Sequence, residues 1–177
     1  MPAMKTERMR TAPCTEAFTC TGPYAILIML GLKRVENRSQ MPEPRRGRCA
    51  VSCSKSFCKE EFGAFVHWAA QALSEEAFAR IPSWADVRDW PGRIVGTCDY
   101  AARGRNDLVL EADAGRAPKG ASLPWDEGYP YWWDLSAVVR FDVPIPCRGN
   151  VGMWRLPPAL AARVTAADAQ ARMGIMV

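Results

Sequence analysis

Apolar and polar residues alternate along this chain with two different periods, and one short stretch has no period at all. Residues 24–30 are apolar throughout, so they predict a helix buried on every side rather than one lying on a surface. Pro23 suits its first position, where a missing N–H has no partner to lose, and Gly31 suits the left-handed residue that closes a helix. The chain then turns abruptly charged. In an extended strand Arg34, Glu36 and Arg38 share one face, while Lys33, Val35 and Asn37 share the other.

A 3.6-residue period is clearest over 59–73, where Phe62, Phe65, Val66, Ala69, Ala70 and Leu73 form one stripe and His67 falls outside it. Ser74, Glu75 and Glu76 start a short helix ending near Ile81, and Ser83 with Asp86 has the spacing of a capping box. A period of two marks the strands. Residues 47–54 turn Cys49, Val51 and Cys53 inward and Arg48, Ala50 and Ser52 to the opposite face. Further strands are expected over 18–21, 93–100, 135–143 and 151–156, with a proline-stiffened turn over 144–149 and a terminal helix over 158–173. Residues 103–124 have no sustained period and read as a long loop or flap. The pattern predicts an α+β fold, a mixed β-barrel with flanking helices. Its expected organisation is a flexible tail over 1–17, one domain over 18–158 with an insertion at about 101–128, and a C-terminal helix and tail over 159–177.

Composition narrows the class without choosing a function. The 177 residues, 49% hydrophobic and 24% charged, suit one domain with a real core and not a disordered chain. A net charge of +4 permits an anionic partner such as RNA and equally fits an ordinary, slightly basic protein. The longest apolar run is too short to cross a bilayer and residues 1–10 lack the apolar centre of an export signal, so no membrane partner and a cytoplasmic location are expected. The seven cysteines are odd in number and contain no C-x-x-C pair, which points to free thiols in a reducing compartment. With His67 the only histidine, neither a metal site nor a cofactor is expected.

The stretch Gly31-Leu32-Lys33-Arg34-Val35-Glu36-Asn37-Arg38 resembles the G-x-K-x-x-E-x-R signature of the ASCH domain, a relative of the PUA fold. Pro23-Tyr24-Ala25, Arg46-Gly47-Arg48, the block from Tyr129 to Leu135 and the block from Pro144 to Trp154 resemble the same family, in the same order. The resemblance implies a PUA-like β-barrel whose cleft, beside the signature, takes RNA or a nucleoside. It also implies two kinds of enzyme, an amidohydrolase acting on N4-acylated cytidine with a Lys, a Thr and a Glu, or a metal-independent ribonuclease. Here the position three after Lys33 is Glu36 where the amidohydrolase pattern has Thr, which leaves Thr97 and Asp99 as the later candidates.

The candidate catalytic residues are therefore Lys33, Glu36 and Asp99. Lys33 reads as a phosphate contact or, desolvated, a base or nucleophile, against a plain exposed lysine at a helix–strand junction. Glu36 reads as a general acid/base or as the buried carboxylate that orients Arg38, with the orienting role preferred. The candidate nucleic-acid contacts are Lys33, Arg38, Arg46, Arg48, Lys55, Tyr131 and Trp132. The cations among them form a basic rim or merely a solvated face, and the two aromatics stack an unpaired base or fill the core; Trp133 and Trp154 read as core. An RNA- or nucleotide-binding module is the leading expectation. An enzyme using the same cleft, and a protein-interaction module working through the insertion, are the alternatives.

Overall fold

The computed structural model describes residues 13–104 and 130–175. Most of the expected tail and insertion therefore lies outside the described residues, as do Trp125 and Tyr129. The first half of the chain forms β1 (Glu16–Cys20), α1 (Gly22–Met29), β2 (Val35–Arg38) and β3 (Arg46–Cys53). Three helices follow: α2 (Lys59–Ala72), α3 (Glu75–Phe78) and α4 (Trp84–Val87). Then come β4 (Arg93–Gly104), β5 (Tyr131–Pro146), β6 (Met153–Arg155) and α5 (Pro158–Ile175). No helix among the described residues is long and apolar enough to cross a membrane.

The expected buried helix is α1. Ala25, Ile26, Leu27 and Ile28 are fully inaccessible, and each large side chain buried there contributes about 1.5–3 kcal/mol of transfer free energy. Its end is a Schellman motif. Gly31, at φ +69°, donates to Ile28 O at 2.9 Å, and Leu32 donates to Leu27 O at 2.9 Å. Lys33 N–H also donates to Leu27 O, at 3.0 Å, so the chain is still tied to the helix at that point. Strand β2 accordingly begins at Val35, and the alternation expected from Lys33 onward does not hold for Lys33.

The six strands form one mixed sheet in the order β2-β5-β4-β3-β1-β6, curled into a half-barrel. β1 and β3 pair in parallel, and the other neighbours are antiparallel. Both faces are covered. On one, Phe18, Cys49, Val51 and Cys53 pack against α1, α2 and Trp90. On the other, Ala17, Ala50 and Ile94 meet Ala161 and Val164 of α5. This second layer is why the face of β3 carrying Ala50 and Ser52, expected to oppose the core, is itself buried.

β5 serves both layers. Leu135 lies in the first cluster and Val139 and Phe141 in the second, although all three are odd-numbered and would share one face of a regular strand. The register explains the change. Thr97 pairs with Val139 but Asp99 pairs with Ser136, so β5 carries one extra residue, and Ala137 sits there at φ +46°. This bulge turns the strand over. A second irregularity between Ile94 and Gly96 leaves Val143 exposed, against the expected alternation. The expected turn over 144–149 starts later, because Ile145 and Pro146 still pair with Ile94 and Arg93. Pro144 and Pro146 are tolerated because β2 pairs only with the other end of β5, leaving this edge without a donor to supply.

Candidate functional site

A cleft of about 1360 Å³ opens where β2, the end of β1 and the β3–α2 and β5–β6 loops meet. Glu36, Asn37 and Arg38 form one wall, Tyr24 and Thr21 contribute from the start of α1, and Lys55 and Arg148 come from the loops. The three charged signature residues form one chain of contacts. Arg38 Nη2 lies 2.8 Å from Glu36 Oε1, and Lys33 Nζ lies 3.6 Å from Glu36 Oε2. Lys33 Nζ also donates to Val35 O at 2.6 Å and sits 4.5 Å above the Tyr24 ring.

Burial makes this chain matter. Lys33 is 1% exposed, and the Glu36 side chain is 7% exposed. The Glu36 carboxylate thus lies between two cations in a poorly solvated place, where charge–charge attraction is much stronger than in water. The Arg38 guanidinium is also held by apolar surfaces. Its centre is 5.3 Å from the Phe18 ring and 5.3 Å from the Trp133 ring, which pack edge to face against each other at 5.7 Å. Arg38 Nη2 also donates to Thr19 O at 2.9 Å, a carbonyl beyond the last β1–β6 partner, Phe18. Glu36 and Thr19 together thus hold one end of the Arg38 guanidinium. The nearby Cys20 thiol is pushed well up by burial and further by the Glu36 charge, so it is an inert part of the floor.

Several expected site residues lie elsewhere. Lys33 does not line the cleft; because its backbone is still bonded to α1, its side chain packs inward behind Glu36 and Tyr24. Arg48 is not part of a basic rim. Its Nη1 lies 2.8 Å from Asp99 Oδ1, its Nε donates to Asp168 Oδ2 at 3.1 Å, and its Nη2 donates to Thr97 Oγ1 at 2.6 Å. Thr97 and Asp99 therefore belong to a polar clasp that holds α5 to the sheet, and neither lines the cleft. Burial pushes the Asp168 carboxyl up, but hydrogen bonds from Arg48 and Thr97 and the charges of Arg48 and Arg172 outweigh it and hold the group below its ordinary range. Arg46 is exposed at the start of β3, away from the cleft. Trp132 is buried against Val35 and Tyr131 is half-buried, and neither lines the cleft.

Of the expected cationic contacts, Arg38 and Lys55 are the two on the cleft lining. Arg148, Asn150 and Tyr24 were missed as site residues. The signal in Cys147-Arg148-Gly149-Asn150 is faint, a single cation in a glycine-containing turn between strands. Among the described residues no group of three His, Cys, Asp or Glu side chains is placed to hold a metal ion. No protein-family model matches the chain, and no curated protein matches it.

Proposed function

We propose that this chain is a PUA-like module of the ASCH type that binds RNA or a nucleotide, with an unpaired or modified nucleotide seated against Glu36 and Arg38. The observation that carries the reading is the Glu36–Arg38 pair on the wall of a cleft of about 1360 Å³, backed by the buried Lys33. That volume exceeds the roughly 300–1,000 Å³ of ordinary small-molecule sites, so it suits a nucleotide together with flanking backbone. Lys33 acts at one remove: it fixes Glu36, which fixes Arg38, and Arg38 presents a flat, charged donor surface suited to a base edge or a phosphate.

Titration of the protein with a fluorescently labelled single-stranded RNA, and with single nucleotides, tests the reading. Saturable binding weakened about tenfold or more by Arg38→Lys is expected, because lysine offers neither the planar fork nor the ring contacts. An absence of binding to every RNA and nucleotide tried would defeat it.

A hydrolase using the same cleft draws on one specific observation, an ammonium group at 1% exposure beside a carboxylate, the setting in which lysine becomes a base or nucleophile. Against it, Thr97 and Asp99 are committed to the α5 clasp. Incubation with N4-acetylcytidine and with labelled RNA, with and without EDTA, separates the readings. Turnover abolished in Lys33→Ala would replace binding alone with catalysis.

A further inference from the structure

Two cations on the cleft lining take no part in the Glu36 cluster. Lys55 follows β3 and Arg148 follows β5, and both are exposed. One glycine brings their loops together. Gly92, at φ +69°, donates to Cys53 O at 3.2 Å, and its own carbonyl accepts from Cys147 N–H at 3.1 Å. Lys55 stands two residues beyond the first contact, and Arg148 one beyond the second. A Cβ on Gly92 would lie 3.6 Å from Lys55 Cγ, so the lysine stem runs along this turn. The Arg148 loop is seated closely as well, because a Cβ on Gly149 would come within 2.8 Å of Thr19 Oγ1.

Charge balance then decides what this end of the cleft accepts. Among the described residues Glu36 is the one carboxylate on the lining, and it is already engaged by Arg38. Lys55 and Arg148 have no carboxylate partner among the described residues. Ser54 and Asn150, on the same loops, add neutral donors. Paired cations with hydroxyl and amide donors match the oxygens of a phosphate.

We infer that Lys55 and Arg148 form a phosphate subsite at the mouth of the cleft, for a phosphate carried by the nucleotide whose base end meets Glu36 and Arg38; this rests on the nucleotide reading above. The phosphate comes from one of two sources, the terminal group of a mononucleotide or an internal linkage of RNA. Both cations are exposed, so their contribution is salt-sensitive.

Isothermal titration with nucleosides, their 5′-monophosphates and the corresponding dinucleotides, at low and high salt, tests the subsite. A phosphorylated ligand is expected to bind roughly tenfold tighter than its nucleoside at low salt, an advantage that shrinks as salt rises. A gain already present in the monophosphate assigns a terminal group, and a gain appearing only in the dinucleotide assigns an internal linkage. In the Lys55→Gln/Arg148→Gln double variant the ratio of phosphorylated to nucleoside affinity should fall towards one. Both positions are exposed, and a thermal melt matching the wild type checks the fold. Equal affinity for nucleoside and phosphorylated forms, or a ratio untouched in the double variant, would overturn the subsite and leave the nucleotide reading standing. No binding by any member of the series would remove both.

Discussion

Arg38 on β2 donates to the backbone carbonyl of Thr19 on β1 at 2.9 Å, although three strands separate β2 from β1 in the sheet. The sheet curls far enough for a side chain on one edge to reach across to the strand beside the other. The same guanidinium forms part of the cleft wall, so a residue that lines the cleft also ties the curl.

Loss of this tie should cost stability as well as binding. Arg38→Met leaves the buried Glu36 carboxylate without its 2.8 Å partner, and breaking a buried pair from one side costs roughly 3 kcal/mol. Urea denaturation is the measurement. The Glu36→Gln/Arg38→Met double variant should recover part of the loss, because no unpaired carboxylate is then left behind and the Lys33 ammonium still donates to Val35 O at 2.6 Å. Strictly additive losses would mean that the two residues do not act as a pair.

The α5 clasp should give the protein a distinct acid limb. Asp168 has a folded pKa held below its unfolded value near 3.9, so its stabilisation is fully present above about pH 4 and is lost as pH falls through the lowered folded value. Asp168→Asn should therefore be less stable by roughly 3 kcal/mol at neutral pH, with the difference from wild type closing in acid. Chemical denaturation of both proteins from pH 7 to pH 2 follows the gap. A constant gap across that range would show that the charge of Asp168 is not what matters.

Thiol chemistry should report burial residue by residue. Cys58 is exposed and Cys147 half-buried, whereas Cys14, Cys20, Cys49, Cys53 and Cys98 are buried. Burial pushes Cys14 and Cys53 up to about 12, far from the thiolate needed for alkylation near neutral pH. Brief iodoacetamide treatment followed by peptide mass spectrometry should label Cys58 first, Cys147 more slowly, and the others only after denaturant is added. Early labelling of Cys49 or Cys98 would mean that the sheet opens far more readily than its packing implies.

What could be read from the chain was what neighbouring residues decide. Gly31 closes α1 through bonds reaching back three and five residues, and Ser83 and Asp86 make their box within one turn. The stripe of α2 buries Phe62, Phe65 and Ala69 as its period requires, though Ala70 stays exposed. Distant partners were invisible. Arg48 looks like any member of a basic run until Asp168, 120 residues later, folds onto it. Lys33 reads as part of a strand face because nothing local reveals that its N–H is still held by Leu27. Arg148 gains significance only through Gly92, which no periodicity connects to it.

The extra residue at Ala137 reaches beyond its own neighbourhood. Because β5 turns over there, a single strand supplies Leu135 to the layer beneath the cleft and Val139 to the layer beneath α5. Neither layer keeps a complete set of strands if β5 peels away, so the two halves of the molecule are bound to a common fate, melting in one cooperative transition with no half-folded form in which the cleft survives without its distant terminal helix.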